Sequence, residues 1–486
     1  MGFWLRLATV TALALGSLAL EARAQISKEE YATRRSALAE QVGDGLVVAF
    51  GGVTPTSDFG PFQQLAAFRY LTGYEFADAV FVMPVKGGRG RGLLFVNETE
   101  TRRSLYYGQE PDSVAVQASL GLPSLPIGRL RATVDSLVAT GVTPLWEIRD
   151  FAAADFAAQD SLTRGGQFVR ALAAAHHGLE VRNAHPILNR LRATKSEAEL
   201  ALIRKAAEIS SEGHTEVMRQ LVTGMHEYDV QAIVESSFRR QGAERPAYGS
   251  IVGSGPLSLQ LHYMKDRRAM QPGEVVVIDA GAEYRGYAAD VTRTLPVDGV
   301  YTREQRQIYQ LVRDAQAAAE RNSKAGKSFR GALDSSVAVR AEGLAKLGLI
   351  ESPTATFDPP WRVDCARVPQ QCQQVNLFAI HTITHGIGLE VHDPLHAYED
   401  DTFRVGDAFT IEPGLYIAER LLDMLPDTPK NRAFVAKVRP AVQRYENTGV
   451  RIEDSYVITP RGLERISLVP REIDEIEALT RRKPVP

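Results

Sequence analysis

Residues 275–297 read VVVIDAGAEYRGYAADVTRTLPV, and this stretch decides the fold of the C-terminal half of the chain. Its β-branched run at 275–278 and the segment 289–297 predict two strands, with Asp279 ending the first and Asp290 opening the second. If residues 284 and 285 form a two-residue turn, the two aspartates lie opposite one another with β-carbons about 4.5–5.5 Å apart. Such carboxylates repel each other unless a positive charge lies between them. The pair favours a metal site, with a shared-proton acid pair and solvated turn residues as the alternatives.

Histidines cluster further along the chain. Four of the ten histidines fall within sixteen residues, in a segment that begins HTITHGIGLEVHD: His381, His385, His392 and His396. A lone histidine is usually an ordinary core or surface residue. Imidazole is also a common metal ligand and titrates near neutral pH, so the cluster indicates a functional site.

Two glutamates lie on apolar strands. Glu412 occurs in FTIEPG and Glu453 in VRIED. Burying an ionised carboxylate is costly unless it is paired or bound to a metal. Arg451 offers Glu453 an ordinary salt bridge as an alternative, whereas Glu412 is followed by proline and glycine.

Together these residues form a donor set of four carboxylates and an imidazole. Such a set suits manganese, or cobalt or zinc by substitution, better than a metal that prefers thiolates. Four negative charges are balanced by two divalent ions, and a pair of metals about 3.5–4 Å apart is a known hydrolytic arrangement.

The N-terminal part of the chain has a different pattern. Residues 27–187 alternate short apolar runs, such as 45–50 and 79–84, with polar helical stretches, which predicts an α/β domain with a mixed sheet. This region contains no cluster of catalytic residue types, so a scaffolding or substrate-limiting role is expected.

A domain boundary is predicted near residue 191, because Thr194 and Glu197 have the spacing of a capping box ahead of a helix. Two helices follow, the second ending at Gly242. Three strands are then predicted, at 247–252, 275–278 and 289–297. Two helices follow, at 302–325 and 329–347, and then two more strands, at 408–411 and 450–458. The order of two helices followed by paired strands occurs twice, which predicts a pseudo-duplicated α+β domain.

The first residues have the pattern of a secretory signal. Arg6 precedes an apolar run at 7–20, and Ala22-Arg23-Ala24 predicts cleavage before Gln25. A run of about fourteen residues is shorter than the roughly twenty that span a bilayer. We therefore expect an exported chain, periplasmic or secreted, without stable membrane insertion after cleavage, and a retained anchor is the alternative.

Charge and cysteine content limit the remaining classes. With 59 acidic and 56 basic residues, the formal charge of −3 creates no field that attracts phosphate backbones, so nucleic acid is not an expected partner. An oxidising compartment would permit a disulfide between Cys365 and Cys372. The sequence does not fix their separation in space, so paired and free cysteines both remain open. A zinc site there is disfavoured because a second Cys/His pair is missing.

These motifs resemble the aminopeptidase P and prolidase branch of the pita-bread metallopeptidases. The resemblance covers nearly the whole chain after the signal and is carried by four blocks in the family's order: 261–263, 278–294, 381–393, and 410–416 with 451–454. It implies an α/β N-terminal domain plus an α+β pita-bread C-terminal metallopeptidase domain. The boundaries we expect are 1–24 for the signal peptide, 25–190 for a creatinase/aminopeptidase P-like domain, 191–475 for the catalytic domain and 476–486 for a C-terminal tail.

The resemblance implies a role for each candidate ligand. Asp279 would bind one metal, His385 and Glu412 would bind the other, and Asp290 and Glu453 would bridge the two. All five positions have the expected residue type. The implied cofactors are two divalent ions, Mn²⁺ first, with Co²⁺ and Zn²⁺ as alternatives.

The resemblance also assigns the residues around the metals. His262 and His392 match histidines that contact substrate and stabilise the reaction intermediate. Arg451 and His381 match supporting or proton-handling positions, and Glu412 would also move a proton.

The implied activity is that of an Xaa-Pro aminopeptidase, which hydrolyses the bond between an N-terminal residue and a following proline. The expected partners are a proline-containing peptide as substrate and further copies of the chain, in a homodimer or homotetramer. An Xaa-Pro dipeptidase (prolidase) with the same metal pair is the first alternative, and a non-catalytic pita-bread binding protein is the second.

Two inserts bear on the choice between peptidase and dipeptidase. The insert at 417–450 resembles prolidases, whereas the short interval between His392 and Glu412 resembles aminopeptidases P and lacks a loop that supplies an arginine for a dipeptide's carboxylate. The second signal bears more directly on substrate length and favours the aminopeptidase. The segment 351–375 is longer than a minimal domain needs and contains both cysteines.

Overall fold

The computed structural model describes residues 25–55, 60–98, 101–148 and 163–481. The chain divides into two units between Ala193 and Thr194. The expected signal peptide lies outside the described residues, as does the end of the expected tail from residue 482.

The N-terminal unit is built on a mixed sheet of seven strands in the order β5-β4-β2-β1-β6-β7, with β3 beside β2. The strands are β1 (Gly45–Phe50), β2 (Val80–Lys86), β3 (Arg89–Gly90), β4 (Leu93–Val96), β5 (Ser124–Pro126), β6 (Leu145–Ile148) and β7 (Val181–Asn183). The helices described here are α1 (Lys28–Val42), α2 (Ala66–Thr72), α3 (Thr101–Tyr107), α4 (Ser113–Leu120), α5 (Leu130–Ala139), α6 (Arg164–Ala175) and α7 (His185–Ala193). Strand β1 pairs antiparallel with β2 and parallel with β6. The predicted α/β domain with a mixed sheet is confirmed.

The core of this unit lies where helices cover the sheet. Every residue of β1 is buried, and its Leu46 and Val48 pack with Val134 of α5 and Leu172 of α6. An apolar strand with helices packed against its side chains reads as a continuous hydrophobic run.

The C-terminal unit contains two helical pairs, each followed by strands. Its helices are α8 (Glu197–Gln220), α9 (Glu227–Arg240), α10 (Arg303–Asn322), α11 (Phe329–Lys346), α12 (Ala397–Asp400), α13 (Glu419–Asp423), α14 (Pro429–Arg444) and α15 (Ile473–Thr480). Its strands are β8 (Arg245–Pro246), β9 (Ile251–Ser254), β10 (Val275–Asp279), β11 (Ala282–Tyr284), β12 (Tyr287–Ala288), β13 (Thr292–Pro296), β14 (Ala408–Ile411), β15 (Gly414–Ile417), β16 (Thr448–Arg451), β17 (Asp454–Thr459) and β18 (Gly462–Arg465). The predicted order of elements is confirmed.

The strands of this unit form four small sheets, in the orders β13-β10-β9, β12-β11-β8, β14-β17-β18 and β15-β16. Helix α8 packs against α9, and α10 packs against α11. Their apolar faces join the strands in one large core that includes Val234, Ile278, Val312 and Val450.

The first helix of the unit begins two residues later than the capping pattern predicted. Ser196 is the N-cap: its Oγ accepts from the backbone N–H of Glu199 at 3.2 Å, and its own N–H donates to the Glu199 carboxylate at 2.9 Å. The predicted box of Thr194 and Glu197 is wrong. The N–H of Lys195 is already engaged with the carbonyl of Gly406 at 3.1 Å.

The hairpin that carries the two aspartates turns one residue later than predicted. Arg285 and Gly286 form the turn, with φ of 49° and 78°, and Asp279 pairs with Thr292 instead of Asp290. The predicted register is therefore wrong. A two-residue turn of this hand needs positive φ at both central positions, and glycine at the second position meets that requirement without steric cost.

Two predicted strands have other bounds in the structure. The segment 450–458 divides into β16 and β17, because Glu453 donates its N–H to the carbonyl of Thr292 at 3.0 Å and leaves the strand pairing on either side. Of the predicted strand 247–252, only the last two residues lie in a strand, β9, and β8 ends just before the predicted segment. An apolar pattern in the sequence predicts that a segment is buried, but it does not predict which strand the segment pairs with.

The C-terminal and insert segments are both ordered parts of this unit. Helix α15 runs across the expected boundary at 475 and buries Ile476 in the core. Cys365 and Cys372 form a disulfide with Cα atoms 5.7 Å apart, the paired one of the two states that sequence left open. Among the described residues, no helix has both the length and the apolar character needed to cross a bilayer.

Candidate metal centre

A cavity of about 900 Å³ lies in the C-terminal unit and gathers the predicted site residues. Its lining includes all nine of them: His262, Asp279, Asp290, His381, His385, His392, Glu412, Arg451 and Glu453. The remaining histidine of the cluster, His396, is the residue before α12 and is not part of this lining. Residues separated by up to 191 positions thus share one wall.

Two aspartates meet at one phenol. The hydroxyl of Tyr248 lies 2.6 Å from Oδ1 of Asp279 and makes a second, shorter contact with Oδ1 of Asp290. A phenol has one proton to donate. The carboxylates therefore converge although the ladder pairs Asp279 with Thr292, and they share a single donor.

The two glutamates lie in the same cavity. Glu453 is 1% exposed, and its Oε2 accepts from the hydroxyl of Thr292 at 2.7 Å. Its Oε1 is buried and has no hydrogen-bond partner in the described part of the chain. Glu412 follows β14, and its N–H donates to the carbonyl of Ile383 at 2.7 Å, which fixes the backbone beside the histidine segment. A buried carboxylate oxygen without a donor indicates that a cation belongs there.

His385 faces these carboxylates with its lone pair. Its Nδ1 lies 3.1 Å from the carbonyl of Gly386, so this nitrogen carries the proton and donates it. Its Nε2 is left as an acceptor, 3.4 Å from Oδ2 of Asp290, 3.4 Å from Oε1 of Glu412 and 3.7 Å from Oε1 of Glu453. A histidine held by a backbone carbonyl in this way has the usual arrangement of a metal ligand.

The facing atoms at the centre of the cavity are thus all acceptors. One ligand atom each from Asp290, His385 and Glu453 lie within 4.8 Å of one another, which suits a metal ion. Asp279 and Glu412 add carboxylates on either side. The donor set of oxygens and one imidazole nitrogen fits hard or borderline divalent ions.

Burial and mutual repulsion disfavour the charged forms of these acids. Burial is the main cause that raises the pKa of Asp290, with the charge of Asp279 second. Burial also raises the pKa of Glu412 and that of Glu453, and the charge of a neighbouring carboxylate adds to each shift. A bound cation would reverse this tendency.

A second layer of hydrogen bonds orients the site. Arg451 donates to Oδ2 of Asp279 at 2.5 Å and to the hydroxyl of Tyr416 at 3.0 Å. The hydroxyl of Tyr416 in turn donates to Nε2 of His381 at 2.9 Å, while Nδ1 of His381 donates to the carbonyl of Thr382 at 2.7 Å. Burial, with the charge of Arg451, lowers the pKa of His381 to about 3, so this ring is neutral.

The alternative in which Arg451 neutralises Glu453 is not what the structure has, because Arg451 forms its ion pair with Asp279. Three residues of the site were not anticipated: Tyr248, Thr292 and, as a hydrogen-bonding group, Tyr416. Tyr248 lies in the loop between β8 and β9, where no sequence spacing relates it to either aspartate. Thr292 was hidden by the wrong hairpin register.

Comparison with known proteins places this site in a family. The model of metallopeptidase family M24 matches residues 201–460, more than half of the chain. The chain belongs to this family. The model of the aminopeptidase P N-terminal domain matches residues 31–143, within the N-terminal unit.

Full-length relatives agree with this assignment. The chain is 32% identical to the Xaa-Pro aminopeptidase of Escherichia coli K12 over 470 residues, which cover 94% of this chain and 98% of that protein. It is 28% identical to the Xaa-Pro aminopeptidase of Haemophilus influenzae with the same coverage.

Solved structures give the same result for the fold. Zinc-substituted E. coli aminopeptidase P in complex with product matches with a TM-score of 0.78 at 29% identity, covering 94% of this chain and all of that one. Proline aminopeptidase P II from Yersinia pestis matches with a TM-score of 0.77 at 29% identity, covering 94% and 99%. The predicted resemblance and the predicted fold class are confirmed.

The raised pKa values predict how metal binding depends on pH. In the metal-free protein, buried Asp290, Glu412 and Glu453 keep protons above their ordinary pKa of about 4, so their contribution to stability is present at low pH and falls as pH rises through the raised values. A metal ion must displace those protons, so its affinity rises over the same range. We expect MnCl2 to raise the Tm of metal-stripped protein by a few degrees more at pH 7.5 than at pH 5.5, as measured by differential scanning fluorimetry.

Comparing the metal-induced rise in Tm at the two pH values isolates metal binding. Groups that titrate alike with and without metal change both Tm values equally, so their effect cancels. The Glu453→Gln variant is the control and should lose most of this dependence. An equal rise in Tm at both pH values in the wild-type protein would contradict the interpretation.

Proposed function

We propose that this acidic cavity holds two divalent metal ions and is the active site at which the chain, a metal-dependent Xaa-Pro aminopeptidase, releases the first residue of peptides whose second residue is proline. The observation that carries the proposal is the set of acceptors facing one another: the lone pair of His385, the unpartnered oxygen of Glu453 and the carboxylate of Asp290. Divalent cations in the space between such groups would offset their mutual repulsion.

The ligands would be divided as follows. Asp279 would bind one ion, His385 and Glu412 the other, and Asp290 and Glu453 both. When bound, the ions supply a water-derived nucleophile at neutral pH and polarise the carbonyl of the scissile bond. We propose Mn²⁺ as the native ion because oxygen donors dominate the set.

The chain's own residues then bind the peptide and handle protons. The acidic cavity attracts the cationic amino terminus of a peptide. His262 and His392 line the cavity, where their ring N–H groups can donate to the carbonyl oxygen of the scissile bond. Glu412 lies 3.7 Å from Nδ1 of the neutral His381 and is placed to accept a proton from the nucleophile and return it to the leaving nitrogen.

Selectivity for proline is supported by the apolar part of the cavity's lining. Apolar side chains, among them Leu261, Phe329 and Leu333, line the same space as the acids. A proline ring is apolar, and its tertiary amide brings no N–H that would need an acceptor after burial.

Removing a shared ligand tests the metal assignment. We expect Asp290→Asn and Glu453→Gln to reduce bound metal below one ion per chain and to lower kcat/KM by more than the 10–100-fold typical of losing a supporting residue. Metal content by inductively coupled plasma mass spectrometry and hydrolysis of a Xaa-Pro peptide are the measurements. Asp314→Asn and Glu464→Gln, which change the same groups outside the cavity lining, are the matched controls. Near-normal turnover with two metals in either ligand variant would exclude the shared role.

Substrate length separates the aminopeptidase from the dipeptidase. We expect release of alanine from Ala-Pro-Ala, with Ala-Pro a poorer substrate because the short interval between His392 and Glu412 resembles that of aminopeptidases P. Ala-Ala-Ala should be cleaved at least about 100-fold more slowly. Chromatographic detection of free alanine measures all three. Hydrolysis of Ala-Pro alone would establish the dipeptidase instead.

We also propose that the chain is exported, cleaved before Gln25 and assembled as a homodimer or homotetramer. The signal pattern at residues 1–24 supports export, and the disulfide between Cys365 and Cys372 is compatible with an oxidising compartment. We expect intact-mass spectrometry of protein secreted through a bacterial export pathway to give a chain that starts at Gln25 with no free thiol, and light scattering to give two or four chains per particle. A retained leader, or a monomer at micromolar concentration, would contradict the corresponding part.

A further inference from the structure

A buried ion pair includes the residue that follows His392 in the chain. Nζ of Lys195 is 2.9 Å from Oδ2 of Asp393, and the two side chains are only 1% and 2% exposed. Removing two charges from water is costly, so a buried pair of this kind is weak support for stability and calls for another reason. Asp393 also borders the cavity.

Both residues of the pair form hydrogen bonds with backbone groups. Asp393 donates its N–H to the carbonyl of Gly386 at 2.8 Å, and its Oδ1 accepts from the N–H of Glu390 at 3.1 Å. These bonds close residues 386–393 into a loop, which we call the histidine loop. Lys195 is held in turn by its own N–H, which donates to the carbonyl of Gly406.

Glycine at position 388 makes room for the pair. A β-carbon there would lie 2.5 Å from Oδ2 of Asp393 and 2.9 Å from Cε of Lys195, closer than any side chain tolerates. The carbonyl of Gly388 accepts from the N–H of Ala288 at 2.8 Å, which ties the loop to the hairpin of the two aspartates. The histidine loop is therefore built around the ion pair.

The residue that this arrangement places is His392, the neighbour of Asp393. Its ring centroid is 4.1 Å from that of His385, and its side chain is exposed in the cavity. Within the described part of the chain, no hydrogen bond to its ring holds it. Its position thus depends on the backbone of the histidine loop.

We propose that Lys195 and Asp393 are positioning residues for His392: their ion pair locks the end of the histidine loop so that the ring of His392 stays against that of His385, where it meets the substrate. The proposal rests on the proposed function, in which His392 contacts the peptide. Displacing a substrate-contacting group by about 1 Å is enough to cost on the order of 100-fold in rate.

The test is a double-mutant cycle with His392. We expect Lys195→Met, which keeps the length of the side chain and removes its charge, to lower kcat/KM for Ala-Pro-Ala by about 10–100-fold with the metal content unchanged. In a His392→Ala background the same substitution should lower kcat/KM by less than about twofold, because its target is already gone. Lys205→Met, in helix α8, where the ammonium of Lys205 pairs with Glu208, is the matched control and should leave kcat/KM unchanged.

The background dependence separates positioning from general stabilisation. A merely structural pair would cause the same fold-loss with and without His392, together with loss of bound metal, and either result would overturn the proposal. If Lys195→Met does not accumulate as folded protein, Asp393→Asn replaces it in the same cycle, since its amide oxygen still accepts from Glu390. Failure of the wild-type protein to hydrolyse Ala-Pro-Ala would instead refute the proposed function, which keeps the two failures distinct.

Discussion

The structure of the C-terminal unit depends on holding together groups that repel one another. Four carboxylates and the lone pair of an imidazole converge in one cavity, and the hydroxyl of Tyr248 supplies a single proton between two of them. Burial removes the water that would otherwise screen their charges. Protons or cations must therefore complete the site, and the set of carboxylate oxygens with one imidazole nitrogen suits a metal ion.

The fold meets this constraint by placing the acids where regular strand pairing stops. Glu453 lies between β16 and β17, and Asp290 lies between β12 and β13. Buried Arg293 donates to the carbonyl of Glu453 at 2.7 Å and pairs with Asp454 at 2.7 Å. Burial opposes ionisation of Asp454, but the charge of Arg293 and two further arginines lowers its pKa. An ionised salt-bridge layer behind Glu453 thus fixes its backbone while its side chain faces the cavity.

Hydrogen bonds around the acids have two roles: they compensate the charge of one aspartate and they orient a neutral imidazole. Arg451 compensates Asp279, leaving the buried Oε1 of Glu453 without a donor among the described residues. The series from Arg451 through Tyr416 to His381 fixes the tautomer of a neutral imidazole beside Glu412. The ligands thereby have few hydrogen-bond donors, while Arg451, Tyr416 and His381 are hydrogen-bonded to one another or to the ligands, which is how outer residues usually tune a metal site.

The sequence by itself identified the acids and histidines of the site, because an ionisable residue inside an apolar run is costly and therefore conspicuous. It also gave the order of helices and strands, since periodic burial is a local property. The turn of the aspartate hairpin was predicted one residue too early: Gly286 at the second turn position moves Thr292, not Asp290, opposite Asp279. Only the tertiary structure placed Tyr248 between the aspartates, joined Arg451 to Asp279, and paired Lys195 with Asp393, the residue that follows His392. Each of these contacts joins residues at least 31 positions apart, and such distances depend on how the sheets and loops pack, which no local pattern of residues contains.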